Sequence, residues 1–130
     1  MAEFQSLPLR IQNAAQSQFA RNEQVRLCIL GRSNLLSPDF VIITSNRVLV
    51  LDERSMGSLN ASYANIRFNL PFPQITAVKL ERRLKHLIFG QAYLEIEMGS
   101  NRYIVNNLNY GEAKRAMMLI QIAPSQKMME

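Results

Sequence analysis

Residues 40–52, FVIITSNRVLVLD, constrain this chain more than any other stretch. Two apolar runs rich in β-branched side chains flank the polar pair Ser45-Asn46, which predicts a β-hairpin with a two-residue turn. In that register Thr44 lies opposite Arg47, Ile43 opposite Val48 and Ile42 opposite Leu49. Both faces of the hairpin are then aliphatic, so it belongs in the middle of a buried sheet and not at an edge. Val41, Ile42, Val48, Leu49 and Val50 are its predicted core.

The remaining segments read as cover for that hairpin. Residues 6–21 predict a helix: Ser6 is a candidate cap, Pro8 suits a first turn, and Ile11, Ala15 and Phe19 recur every four residues. The stripe is narrow, and it either packs on the sheet or docks on another subunit. Residues 24–30 alternate, with Val25, Leu27 and Ile29 on one face and Gln24, Arg26 and Cys28 on the other. Residues 31–38 are a loop, and the polar run 53–61 with Gly57 predicts a second one. Residues 63–69 form a strand that carries Ile66, Phe68 and Leu70 on one face until Pro71 and Pro73 interrupt its ladder.

Residues 75–82 are the next strand, with Thr76, Val78 and Leu80 on one face. The stretch 82–90, RRLKHLIFG, suits a short helix, a strand or a loop equally well. Residues 92–98 alternate cleanly, and Gly99-Ser100 predicts a type II′ turn with Ile96 opposite Tyr103, Leu94 opposite Val105 and Glu97 opposite Arg102. Asn109 followed by Glu112 starts a helix over residues 110–122 whose apolar stripe is Ala113, Ala116, Met117 and Ile120. Pro124 is expected to stop it and leave residues 123–130 as a tail.

Composition limits the function classes. With 130 residues, 48% hydrophobic and 19% charged, the chain reads as one globular domain over residues 1–130. No apolar run approaches the roughly 18 residues of a spanning helix, and MAEFQSLPLR lacks the pattern of a secretory signal. One cysteine, Cys28, allows no internal disulfide, and a cytoplasmic protein, at most peripheral to a membrane, is the expectation. The net charge of +5 is diffuse, a bias toward anions and not a nucleic-acid signature.

Catalytic chemistry finds no support in the residue pattern. His86 is the one histidine, set among Arg82, Arg83 and Lys85 with no carboxylate to orient it, and reads as a solvated loop residue. Glu95 and Glu97 share a strand face, but that face is the wet one and Arg102 accounts for Glu97. Cys28 reads as a small buried hydrophobe. No Gly-rich phosphate loop precedes a helix and no Cys/His set suits a metal, so no catalytic residue, metal or cofactor is expected.

The order of these motifs resembles a known family. A leading helix, Asn22-Glu23 before a strand ending in Gly31, ITSNRVLVLD, NLPFPQITAV, LEIEMGSNRYIVNN and a closing helix together look like the bacterial pleckstrin-homology-like (PH-like) domains. The resemblance covers residues 7–122, including a T-x-x-R hairpin and a Pro-x-x-x-Ile lead-in to the next strand. It implies a mainly β fold with helices: about seven strands over residues 24–107 in two near-orthogonal antiparallel sheets, a partly open barrel with an N-terminal helix and a C-terminal capping helix. It does not name a ligand, because the shape hosts many partners. Eukaryotic lipid-binding relatives place several basic residues in the loop after the first strand, whereas GRSNLLSP has Arg32 alone.

Three readings follow, in this order. The first is a non-catalytic interaction and assembly module, self-associating and binding a protein partner. Open sheets leave unpaired edges, and the Pro71–Pro73 break is one of few defences here. The second is contact with anionic membrane lipid through Lys79, Arg82, Arg83, Leu84, Lys85, Leu87, Ile88 and Phe89, against the plainer view of these residues as a solvated tip. Nucleic-acid binding on the barrel ranks last, because the aromatic residues fall at core positions.

Overall fold

The computed structural model describes residues 3–32, 37–56 and 61–128. After a 3-10 turn at Phe4–Ser6 come α1 (Leu9–Gln16), β1 (Val25–Gly31), β2 (Asp39–Thr44), β3 (Arg47–Met56) and β4 (Ala61–Pro71). A second 3-10 turn, Phe72–Gln74, leads to β5 (Ala77–Glu81), α2 (Leu84–Phe89), β6 (Gln91–Met98), β7 (Asn101–Asn109) and α3 (Tyr110–Met128). The strands form two antiparallel sheets, ordered β1-β2-β3-β4 and β5-β6-β7. This is the mainly β architecture that the resemblance implies.

The hairpin sits at the centre as its composition requires. Ile42 pairs with Leu49 and Ile43 with Val48 in the predicted register. Val41, Ile43, Val48 and Val50 face the second sheet and α3, where they meet Leu94, Ile96, Val105 and Ala116. Phe40, Ile42, Leu49 and Leu51 face the other way, onto Ile11 and Ala15 of α1. The α1 stripe is therefore consumed by its own sheet. Cys28 lies in this same layer, and α1 covers the face that its strand neighbours suggested was wet. Burial, and then the negative charge of Glu3, push its thiol up to about 11.

The hairpin turn is clamped by the T-x-x-R motif and Glu23. The amides of Asn46 and Arg47 both donate to Thr44 Oγ1 at 3.0 Å. Thr44 Oγ1 in turn donates to Glu23, whose carboxylate takes Arg47 Nε at 2.9 Å and Nη2 at 3.0 Å. The Ala20 amide adds a bond of 2.7 Å to the same group. A fully enclosed carboxylate is tolerated here because every lone pair has a donor.

Where the sheets meet, Arg32 N–H donates to Asn106 O at 2.9 Å. Gly31 is required at this corner, since a Cβ there would lie 2.9 Å from side-chain atoms of both Val105 and Leu108. The β6–β7 turn keeps its predicted register, Glu97 opposite Arg102, and Gly99 has φ +60° as a type II′ turn demands. Asn109 Oδ1 accepts the Glu112 amide at 3.0 Å and caps α3 as expected.

Several expectations need correction. The first helix is not residues 6–21 but Leu9–Gln16, because Pro8 is extended and the chain tightens into a turn after Ser17. Ser6 is no cap, as its hydroxyl donates back to Glu3 O. Phe19 nevertheless packs with this layer, 6.1 Å from the Phe4 ring. The run 53–61 is not a loop throughout: β3 continues to Met56 and β4 starts at Ala61, while residues 57–60, like 33–36 of the earlier loop, lie outside the described residues.

Ile66 and Phe68 do not share a face. The register shifts between Val50 and Leu51, so Phe68 lies opposite Val50 and Ile66 opposite Leu51, with Arg67 as the extra residue. The last helix does not stop near Ile122, because Pro124 removes one amide from the ladder without ending it, and the helix runs to Met128.

Candidate functional site

The ambiguous stretch 82–90 is α2, a helix of six residues that leaves the edge of the second sheet between β5 and β6. So short a helix is not stable alone and must be tied at both ends. His86 ties the first: its Nδ1 accepts the Arg83 amide at 2.9 Å, the part that Glu or Gln plays in a capping box. Gly90, at φ +66°, ties the second by donating its amide to His86 O.

The sequence places His86 in solvent, and the structure corrects this: it is fully buried. Nε2 sits 2.9 Å from Asn106 Oδ1, which also accepts the Asn107 amide. With Nδ1 accepting, Nε2 must carry the proton and donate, so these partners select the neutral Nε2–H tautomer. The Tyr93 ring lies 5.7 Å away. Burial is possible because backbone and amide groups satisfy both nitrogens, a context that no local spacing reveals.

The apolar residues of α2 go the other way. Leu84, Leu87, Ile88 and Phe89 are 76%, 55%, 71% and 73% exposed. At about 100° per residue they wrap an arc of about 200° on the side away from His86. Arg82 stacks on Tyr110 at 4.2 Å and donates Nε–H to Gln91 O at 3.0 Å. Arg83 stacks on Tyr93 at 5.1 Å. Lys85 and Phe89 form one wall of an open groove of about 420 Å³, opposite Leu30, Arg32, Pro38 and Asn107.

Seven of the eight predicted contact residues thus come together on one corner. Lys79 does not join them, as it lies on β5 and pairs with Glu97 at 3.4 Å. Sequence reasoning passed over Leu30, Asn106 and Asn107. They come from the ends of β1 and β7, and only the Gly31 close approach could have hinted at that meeting.

The profile described as the bacterial PH domain matches residues 19–122. The chain belongs to the bacterial PH domain family. Among solved structures, a DUF1696 family protein with a pleckstrin-homology domain from Shewanella loihica PV-4 is similar at 15% identity, with a TM-score of 0.52, over 85% of this chain and 88% of that one. At that identity the likeness speaks for the fold alone. No curated protein matches the sequence.

The carboxylate pair of this PH domain is arranged differently from the sequence reading. Glu95 is buried and takes the short contact with Arg102, 2.7 Å, while Glu97 is 3.9 Å from the same guanidinium. Arg102 faces Glu97 in register but reaches the diagonal neighbour, as a long side chain on a twisted sheet does. Among the described residues no group of three or more His, Cys, Asp or Glu is placed to hold a metal ion. Nor is any described helix long and apolar enough to cross a membrane.

Proposed function

We propose that this PH domain is a non-catalytic interaction module whose contact surface is the α2 corner, and that in the absence of another partner this surface brings copies of the chain together. One observation carries the reading: α2 is inside out. Of its two polar residues His86 is enclosed while Lys85 is exposed, and its four large apolar residues face solvent, on a helix anchored firmly enough to hold them there. Scattered exposed apolar residues need no explanation, but four within six consecutive positions form a patch that marks a contact site.

The test is a variant carrying Leu84→Ser, Leu87→Ser, Ile88→Ser and Phe89→Ser together. Each change lies at an exposed position, so each should alter stability by less than about 0.5 kcal/mol. In sedimentation at about 100 µM the wild type is expected to form species larger than a monomer, and the variant to remain monomeric with an unchanged melt. A variant that melts far below the wild type would show that the patch is structural. A wild type that stays monomeric and also ignores the vesicles described below would remove the reading altogether.

A further inference from the structure

We infer that the partner of the α2 corner is an anionic lipid bilayer, met by inserting the apolar side chains of α2 while Arg82, Arg83 and Lys85 lie at the level of the headgroups. This rests on the interaction reading above and names the surface that would cover α2. Shape is the first argument. Leu84, Leu87, Ile88 and Phe89 wrap more than half of a single short helix that projects between two strands, so the patch is convex. A protein partner would need a pocket enclosing that tip from several sides, whereas acyl chains close around a projection without being preformed.

Charge is the second argument. Arg10, Arg47, Arg54, Arg67, Lys79 and Arg102 each pair with a carboxylate of the chain. Arg82 and Arg83 are positioned instead by the rings of Tyr110 and Tyr93, which orient a guanidinium without neutralising it. Glu81 borders the stretch and accepts the Tyr93 hydroxyl at 3.3 Å, while residues 82–94 themselves contain no acidic side chain. Cations at the base of an apolar projection are the arrangement of interfacial membrane helices, in which lipid phosphates attract the charges and the apolar face enters the acyl boundary.

The groove adds a third element. Lys85 and Phe89 form one wall, and Arg32 lies across it with Leu30, itself 45% exposed. Charged and apolar groups are thus interleaved on the second element that would approach the bilayer. No selectivity for one headgroup is implied, since the groove that the described residues form is open. The inference is for negative charge at a surface.

Co-sedimentation of the full chain with vesicles tests this, using phosphatidylcholine mixed with phosphatidylglycerol against phosphatidylcholine alone. The wild type should bind the mixed vesicles at low ionic strength and be released by salt. Each cation near an anionic surface strengthens partitioning about fivefold, so Arg82→Gln, Arg83→Gln and Lys85→Gln together should weaken it on the order of 100-fold. The fourfold serine variant should lose binding although its charge is intact.

Absence of wild-type binding to the mixed vesicles would overturn the inference. So would binding that the serine variant retains, because charge alone would then account for it. If the wild type self-associates through α2 yet ignores vesicles, a second copy is the partner. The interaction reading would then survive and the membrane inference would fall.

Discussion

The β2–β3 hairpin and α2 are both rich in large apolar side chains, and the fold treats them in opposite ways. In the hairpin, both faces are enclosed, one by the second sheet and α3 and the other by α1. In α2, the apolar side chains stand in solvent and the histidine is enclosed. Composition therefore does not decide burial here. The hairpin is paired with strands on both edges, β1 on one side and β4 on the other, so neighbours are available for every side chain. The α2 helix joins the edge strand β5 to β6, where one side of a helix is all that the body can reach.

The comparison breaks most visibly at the hairpin. Ile42→Ala and Leu49→Ala should each destabilise by about 2–5 kcal/mol in denaturant unfolding, through lost transfer energy and the cavity left behind. These two residues face each other in register beneath α1, so the double variant should cost less than the sum of the singles if the cavity collapses. Costs below about 1 kcal/mol for both would mean that α1 is not a true second layer and that the hairpin is buried on one face only.

Much of this frame was legible in the sequence. The hairpin register, the Gly99 turn and the Asn109 cap each depend on residues within a few positions of one another, and local chemistry decides them. The failures share a cause. The bulge at Arg67 inserts one residue and reverses the phase of Ile66 against Phe68, a shift that alternation within β4 could not report. Glu95 and Glu97 look alike on one strand, and the reach of Arg102 across the sheet distinguishes them. Residues 82–89 were recognisable as a cluster of basic and apolar side chains. That the apolar ones face outward depends on His86 finding Asn106, twenty residues away, and no spacing rule contains that contact.

A second prediction sharpens the contrast through the one carboxylate enclosed at the hairpin turn. Burial by itself would raise the Glu23 carboxyl. The bonds from Thr44, the Ala20 amide and Arg47, together with the Arg47 charge, outweigh it and hold the group below its ordinary value of 4.5. A carboxyl whose folded value is lowered contributes stability that is present above its unfolded value and lost as pH falls through the folded one. The wild type should therefore lose stability on acidification below about pH 4.5, and Glu23→Gln should flatten that part of the curve. At neutral pH the same change should cost about 1.5–3 kcal/mol, as for hydrogen bonds to a charged group. An acid limb that is unchanged in Glu23→Gln would place the responsible carboxylate elsewhere.

The smallest expected effect belongs to His86, and it decides how α2 keeps its apolar residues in solvent. Leucine fills much of the same space but offers neither nitrogen, so His86→Leu leaves the Arg83 amide without its acceptor and Asn106 Oδ1 without the imidazole donor. Arg83 lies at the surface, where water can replace the lost acceptor, and Asn106 Oδ1 keeps the Asn107 amide. The global cost should therefore be about 1 kcal/mol, at the low end for an unmade buried bond. Local effects should be larger. With its first turn untied, α2 has too few bonds of its own to persist, and its amides should exchange with deuterium faster than those of β6 beside it. Faster exchange confined to α2, with the hairpin amides unchanged, would establish that the two regions are stabilised independently. A loss as large as that of Ile42→Ala would mean instead that His86 is part of the main core and that α2 cannot open without the sheets. An unaltered exchange pattern would mean that Gly90 and the Tyr110 amide bonded to its carbonyl suffice to hold the helix, and that the imidazole only fills space.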